Sequence, residues 1–133
     1  MLVLILTWGN AVTDSTNNAA AGDELVLPSG VKLTFKKRGT GTQKPTPNSI
    51  VEVHYEGTFL DGRVFDSSIK RNEKISFPLN RVIPAWTQAL CEMVVGDRAI
   101  VFCPSDTAYG ARGAGPIPGN TDLVFDVELF DIR

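Results

Sequence analysis

The residues able to do chemistry in this sequence are aromatic side chains with one acid beside them. The aromatic residues on predicted inward faces are Tyr55, Phe65, Phe77, Trp86, Tyr109 and Phe125. Asp66 follows Phe65 directly, at the end of a predicted strand. The two tyrosine hydroxyl groups need hydrogen-bond partners if they are buried. Each ring alone is more often plain core, but rings with a few convergent polar groups form a typical small-ligand pocket.

Other kinds of catalytic site find no support in the sequence. It contains no Gly-rich phosphate loop, no Ser-His-Asp set around a suitable histidine and no carboxylates at metal-ligand spacing. His54 is the only histidine, and the only cysteines are Cys91 and Cys103. We therefore expect no zinc or other metal, no cofactor and no disulfide scaffold. We interpret His54 as a solvated strand residue and both cysteines as small buried hydrophobic residues.

Composition places the chain among ordinary globular proteins with one core. It has 133 residues, of which 43% are hydrophobic and 21% charged, and its formal net charge is -2. Nucleic-acid binding needs clustered basic residues, and the only such cluster, at residues 36–38, ends a predicted strand. We interpret that cluster as solvated surface and expect no nucleic-acid partner.

The amino-terminal segment differs from the rest in composition. Residues 1–8 are apolar and are followed by small residues, a composition suited to signal cleavage, although no basic residue precedes them. The apolar run is too short to cross a bilayer, which takes about 20 residues. We interpret residues 1–22 as a signal segment with a disordered linker, and residues 23–133 as one domain. This favours the secretory pathway, the endoplasmic reticulum or the periplasm, with the cytoplasm as the alternative.

Alternating apolar and polar residues predict a sheet built around one short helix. The predicted strands span residues 31–36, 51–56, 64–68, 75–79, 98–103 and 123–129. Pro84 suits the first turn of a helix, and Trp86, Ala89, Leu90 and Met93 follow at helical spacing. Glycine and proline predict that residues 104–120 form a long loop without regular structure, which hints at function. Without helical crossovers the sheet is antiparallel and the class is α+β.

Several separated motifs resemble the FKBP-type peptidyl-prolyl cis-trans isomerases. They are VHYEG at 53–57, GRVFDSS at 62–68, VIPAW at 82–86, AYG at 108–110 and LVFDVEL at 123–129. Further motifs, LPSG at 27–30, DSSIKR at 66–71 and FPLN at 77–80, are most similar to the macrophage-infectivity-potentiator branch. The resemblance implies a five- or six-stranded antiparallel sheet wrapped around the helix. Ala85 stands where the family usually has glycine.

The same resemblance implies a site residue by residue. Trp86 would form the pocket floor, and the walls would be Tyr55, Phe65, Phe77, Val82, Ile83, Ile117 and Phe125. Asp66 would accept a hydrogen bond from Tyr55 and pair with Arg71. The Tyr109 hydroxyl and the Ile83 backbone N–H would each bond a carbonyl of the bound peptide. The alternative for Asp66 is a turn residue that bonds its own backbone.

The activity implied is isomerisation of X–Pro bonds in peptides and unfolded proteins, with tacrolimus and rapamycin binding in the same pocket. The reaction makes and breaks no covalent bond, so it needs no nucleophile or cofactor. The alternative is a proline-binding or chaperone module that uses the same fold without catalysis. We expect a monomer without stable membrane insertion, because relatives in this branch often dimerise through a long amino-terminal helix for which this sequence has no room.

Overall fold

The computed structural model describes residues 20–133, so most of the predicted signal segment lies outside the described residues. The strands are β1 (Glu24–Val26), β2 (Lys32–Lys37), β3 (Ile50–Phe59), β4 (Val64–Ser67), β5 (Ile75–Pro78), β6 (Arg98–Cys103) and β7 (Leu123–Ile132). The α-helix, α1, spans Pro84–Leu90 and joins β5 to β6. No described helix is long and apolar enough to cross a membrane.

The strands form one antiparallel sheet in the order β1-β2-β6-β7-β3-β4, with β5 also paired to β3. The α+β class is confirmed, but the sheet has seven strands rather than five or six. The additional strand is β1, in which only Leu25 is buried. A strand of three residues is too short for its alternation to be recognised in the sequence.

The long central strands β3 and β7 alternate between buried and less buried residues along most of their length. Val51, Val53 and Tyr55 face the core from β3, and Phe125 and Val127 face it from β7. This alternation is the predicted one, because each side chain along a strand points to the face opposite its neighbour's. The register sets Tyr55 opposite Val127 and Gly57 opposite Phe125.

The helix α1 buries Ala85, Trp86, Ala89 and Leu90 against the sheet. Pro84 stands in its first turn, where a missing N–H costs no hydrogen bond. The Thr87 hydroxyl donates to the backbone carbonyl of Leu79, at 2.6 Å, and so fixes the helix to the chain that leaves β5. Because α1 has only seven residues, the Thr87 hydrogen bond and the buried face of the helix together determine the position of the Trp86 indole.

The segment from 104 to 120 is more ordered than predicted. It contains a short 3-10 helix, Ser105–Thr107, and a β-bridge between Ala114 and Ile117. Its base is closed by the backbone N–H of Ser105, which donates to the Asp122 carboxylate at 2.8 Å. The prediction of no regular element was wrong because these local hydrogen bonds leave no periodic trace in the sequence. The segment therefore holds Tyr109 in a defined position.

The histidine and the cysteines are only partly as predicted. Cys103 is fully buried, and burial raises the pKa of its thiol to about 12, so it is chemically inert. Cys91 is only partly buried and follows the last residue of α1 instead of lying on it. His54 is half-buried rather than solvated, with Nδ1 2.9 Å from the Ser68 hydroxyl and its ring edge against Phe130. The described residues contain no cluster suited to a metal ion.

Candidate functional site

A cavity of about 390 Å³ opens between α1, the sheet and the segment after β6. The predicted site residues that line it are Tyr55, Phe65, Asp66, Phe77, Val82, Ile83, Trp86, Tyr109 and Phe125. They come from β3, β4, β5, α1, β7 and the segments next to them, so the fold brings together residues far apart in the chain. This volume lies in the range typical of small-molecule sites, about 300–1,000 Å³.

Trp86 lies at the centre of the ring cluster and is 5% exposed. Its ring centre is 5.2 Å from that of Tyr55, 5.3 Å from that of Phe77 and 5.4 Å from that of Phe125. All three pairs are nearly perpendicular, which is the favoured edge-to-face arrangement. The Trp86 Nε1–H is buried and has no hydrogen-bond partner among the described residues. The cluster thus forms an apolar wall with one unused donor.

Gly57 makes room for two of these rings and was not among the predicted site residues. A methyl group at this position would stand 2.6 Å from the Phe65 ring and 2.8 Å from the Phe125 ring. Real Cβ atoms do not approach other atoms that closely. The signal was visible in the sequence, because Gly57 is two residues after Tyr55 and so shares its face of β3.

We expect Gly57→Ala to impair the site more than the fold. The added methyl group must displace the Phe65 or Phe125 ring, and overpacking of this kind costs about 1–3 kcal/mol. The activity that the resemblance implies, isomerisation of a short X–Pro peptide, should fall severalfold while the far-ultraviolet circular dichroism stays native. A variant with the parental activity would show that neither ring needs its present position.

The polar part of the cavity is a network around Asp66. The Tyr55 hydroxyl donates to one carboxylate oxygen of Asp66 at 2.5 Å, and the Arg71 guanidinium donates to the other at 2.7 Å. Arg71 also reaches the Tyr55 hydroxyl, at 3.4 Å. Both carboxylate oxygens therefore bond side chains, as the resemblance implies, and the backbone N–H of Ser67 also donates to the carboxylate, as in the alternative turn. Arg71 supports the network without lining the cavity.

This network shifts the pKa values of Asp66 and Tyr55 in opposite directions. Burial tends to raise the pKa of Asp66, but the hydrogen bonds from Tyr55 and Arg71 outweigh it and the pKa falls below the ordinary 3.8. Burial and the hydrogen bond to Asp66 raise the pKa of Tyr55 above 10.0. Burial, with the nearby Asp66 charge, also raises the pKa of Tyr109. At neutral pH the site thus holds an ionised carboxylate and protonated phenols.

Ser68 holds the backbone of Tyr55 through two hydrogen bonds. Its hydroxyl accepts from the Tyr55 N–H at 2.7 Å, and its own backbone N–H donates to the Tyr55 carbonyl at 2.9 Å. The side chain is fully buried, so the hydroxyl cannot reach a substrate even though His54 lies beside it. Ser68 and His54 are therefore structural supports of the Tyr55 position, and the pair is unsuited to nucleophilic chemistry.

A family model described as FKBP-type peptidyl-prolyl cis-trans isomerase matches residues 41–130 of the chain. The protein belongs to this family. The match covers β3, all but the last two residues of β7, the helix and every cavity-lining residue. The resemblance seen in the separated sequence motifs is confirmed.

Individual relatives of the FKBP-type family agree with this assignment. The chain is 45% identical to the FKBP-type isomerase FkpA of Aeromonas hydrophila over 96% of this chain and 52% of that protein. It is 46% identical to the macrophage infectivity potentiator of Trypanosoma cruzi over 86% of this chain and 59% of that protein. It thus spans little more than half the length of these relatives. The crystal structure of a Pseudomonas syringae peptidyl-prolyl cis-trans isomerase superposes with a TM-score of 0.77 at 41% identity, over 88% of this chain and 85% of that one.

Some details of the FKBP-type site differ from the prediction. Ile117 is buried in the core and does not line the cavity, because it pairs with Ala114 within its own segment. Tyr109 lines the cavity but is 38% exposed, so its ring is not inward-facing in the predicted sense. The lining also includes Arg81, Pro84 and Ala108, which the sequence did not single out. All three directly adjoin predicted site residues in the sequence, which was the available signal.

These protonation states predict a flat pH profile for the isomerisation activity that the resemblance implies. A lowered Asp66 pKa means that the carboxylate network is complete above the ordinary value of 3.8 and is lost only as the pH falls through its folded pKa. We expect a constant rate from about pH 5 to about pH 8, measured by NMR exchange because that method needs no coupling protease. A rate that falls by half or more within this range would show that a group other than Asp66 and the two tyrosines controls the reaction.

Proposed function

We propose that this chain catalyses cis-trans isomerisation of X–Pro bonds in peptides and folding proteins. The observation that carries the proposal is the apolar cavity floored by Trp86, with the Tyr55 and Asp66 pair at its side. Membership of the FKBP-type family supports it. The chain spans about half the length of the Aeromonas relative, so the proposal depends on the cavity of this chain itself.

The reaction suits a cavity with few polar groups. Rotation about the amide bond faces a barrier of about 18–20 kcal/mol, because the planar amide must lose its resonance. The twisted transition state has a less polar carbonyl than the planar ground state, so an apolar aromatic site favours the twisted form. A million-fold acceleration requires only about 8 kcal/mol. No group in the cavity has to transfer a proton or form a covalent bond.

The individual residues then take distinct roles in the proposed mechanism. The indole of Trp86 contacts the prolyl ring, and the rings of Tyr55, Phe77 and Phe125 surround it. Such contacts desolvate the bond that rotates. The Tyr109 hydroxyl and the Ile83 backbone N–H donate to carbonyl groups of the peptide and hold the chain on either side of that bond.

The other wall and network residues keep this arrangement in place. Phe65 packs edge-on against Phe125, with ring centres 5.6 Å apart, and Val82 completes the lining beside Ile83. Asp66 orients Tyr55 through the short hydrogen bond and is itself held by Arg71. We assign Asp66 an electrostatic and orienting role, because the reaction needs no acid or base.

The test is the exchange rate of a short X–Pro peptide measured by NMR with catalytic amounts of protein. We expect the protein to accelerate the exchange. A molar excess of tacrolimus or rapamycin over the protein should abolish this acceleration, since both compounds would occupy the cavity. Peptide binding without acceleration would instead favour the proline-binding or chaperone module. If the protein neither binds the peptide nor accelerates its exchange, the assignment of this cavity as the site is refuted.

We further propose that the protein is exported and acts as a monomer. The apolar and small residues in 1–22 support export. Mass spectrometry of the mature protein tests this, because a chain that keeps residue 1 has not lost a signal segment. Size-exclusion chromatography with light scattering tests the oligomeric state, and a mass near twice that of a single chain, which is 14.4 kDa for the full sequence, would overturn the monomer.

A further inference from the structure

Arg81 lines the cavity but has no role in the proposed isomerisation mechanism. The only charged side chains in the lining are Asp66 and Arg81. The charge of Asp66 is balanced by Arg71, at 2.7 Å. Arg81 has no hydrogen bond or ion pair from its side chain to any described residue. The mouth of the cavity therefore carries an uncompensated positive charge.

The backbone of Arg81 is held in place beside the cavity mouth. Its N–H donates to the carbonyl of Pro78 at 3.0 Å, within the turn between β5 and α1. The neighbouring Leu79 is fully buried, its N–H donates to the Ser49 carbonyl at 2.9 Å, and its carbonyl accepts from Thr87. The Arg81 side chain itself is exposed and free to meet a ligand.

We propose that Arg81 gives the isomerase a preference for peptides with an acidic residue next to the isomerising proline. This inference rests on the proposed function and specifies its substrate class. Arg81 directly precedes Val82 and Ile83, which line the same cavity, so a peptide bound there passes close to the guanidinium. An arginine pairs readily with a carboxylate and holds it in a planar, two-bonded geometry.

The expected preference is modest because the arginine is exposed. Exposed ion pairs correspond to a factor of about 1.5 to 5 in binding, and salt screens them. We expect a peptide with glutamate beside the proline to be processed about threefold faster, in kcat/KM, than the same peptide with glutamine. The factor should approach one at about 1 M NaCl.

The experiment compares acetylated and amidated peptides that differ only by Glu or Gln, placed directly before the proline in one pair and directly after it in another. NMR exchange gives kcat/KM for the parental protein, for Arg81→Gln and for Arg112→Gln. Arg112 is exposed and does not line the cavity, so its variant makes the same charge change away from the site. The pair with the larger Glu-to-Gln ratio reports on which side of the proline Arg81 acts.

The inference is supported if the ratio exceeds one in at least one pair and falls to about one in Arg81→Gln but not in Arg112→Gln. A ratio that is the same in all three proteins overturns it while leaving the isomerase function intact. Absence of exchange with every peptide would refute the proposed function instead. Circular dichroism and thermal unfolding establish that each variant is folded.

Discussion

Replacing Asp66 by alanine should reduce kcat/KM for a short X–Pro peptide about ten- to a hundredfold. The substitution leaves the Tyr55 hydroxyl without its acceptor and removes the carboxylate that Arg71 binds. Hydrogen bonds to charged groups contribute about 1.5–3 kcal/mol, which sets the size of the effect. The Asp66 side chain is 42% exposed, so we expect the free energy of unfolding to change little.

A graded variant and a matched control make this result specific. Asp66→Asn keeps an oxygen that accepts from Tyr55 but loses the charge, so its activity should fall between those of the parent and Asp66→Ala. Asp61→Ala removes a comparable carboxylate, paired with Arg63 at 2.8 Å but outside the cavity lining, and should keep parental activity. Equal losses in Asp66→Ala and Asp61→Ala, or parental activity in both, would remove Asp66 from the mechanism.

Much of this site was predictable because sheet periodicity and ring placement are linked. Alternation along β3 and β7 put Tyr55 and Phe125 on the inner face, and the short helix put Trp86 opposite them. Asp66 and Arg71 were paired correctly through the resemblance to a family. Such residues are predictable because a strand or a helix fixes their direction.

The features that were not predicted from the sequence depend on contacts that leave no periodic pattern in it. Ile117 turns into the core because of a bridge within its own segment, and Arg81 reaches the cavity through a turn. The place of Gly57 on the inner face of β3 was visible in the sequence, but the need for a residue without a side chain there follows from the positions of Phe65 and Phe125. Asp97 was not singled out from the sequence, yet it is fully buried.

Asp97 joins two separate turns of the chain through its carboxylate. One oxygen accepts from the Arg38 guanidinium at 3.0 Å and from the Gly39 N–H at 2.6 Å. The other accepts from the Val94 N–H at 2.9 Å. The Arg38 guanidinium also lies over the Phe35 ring, 4.1 Å from its centre. A buried charge is tolerated only when it is satisfied in this way.

Asp97→Ala should therefore lower the free energy of unfolding by about 3–5 kcal/mol, because Arg38 loses this partner and two backbone N–H groups lose their acceptor. Asp126→Ala is the contrasting variant, since its carboxylate is bonded by Arg98 at 2.9 and 2.7 Å at the surface. Exposed pairs contribute about 0.2–1 kcal/mol, so that loss should be small.

Urea unfolding followed by circular dichroism measures the free energy of unfolding of both variants. If both variants lose less than about 1 kcal/mol, the burial of Asp97 has no bearing on stability. If Asp97→Ala fails to fold, Asp97→Asn, which retains one acceptor, should give a measurable loss between the two.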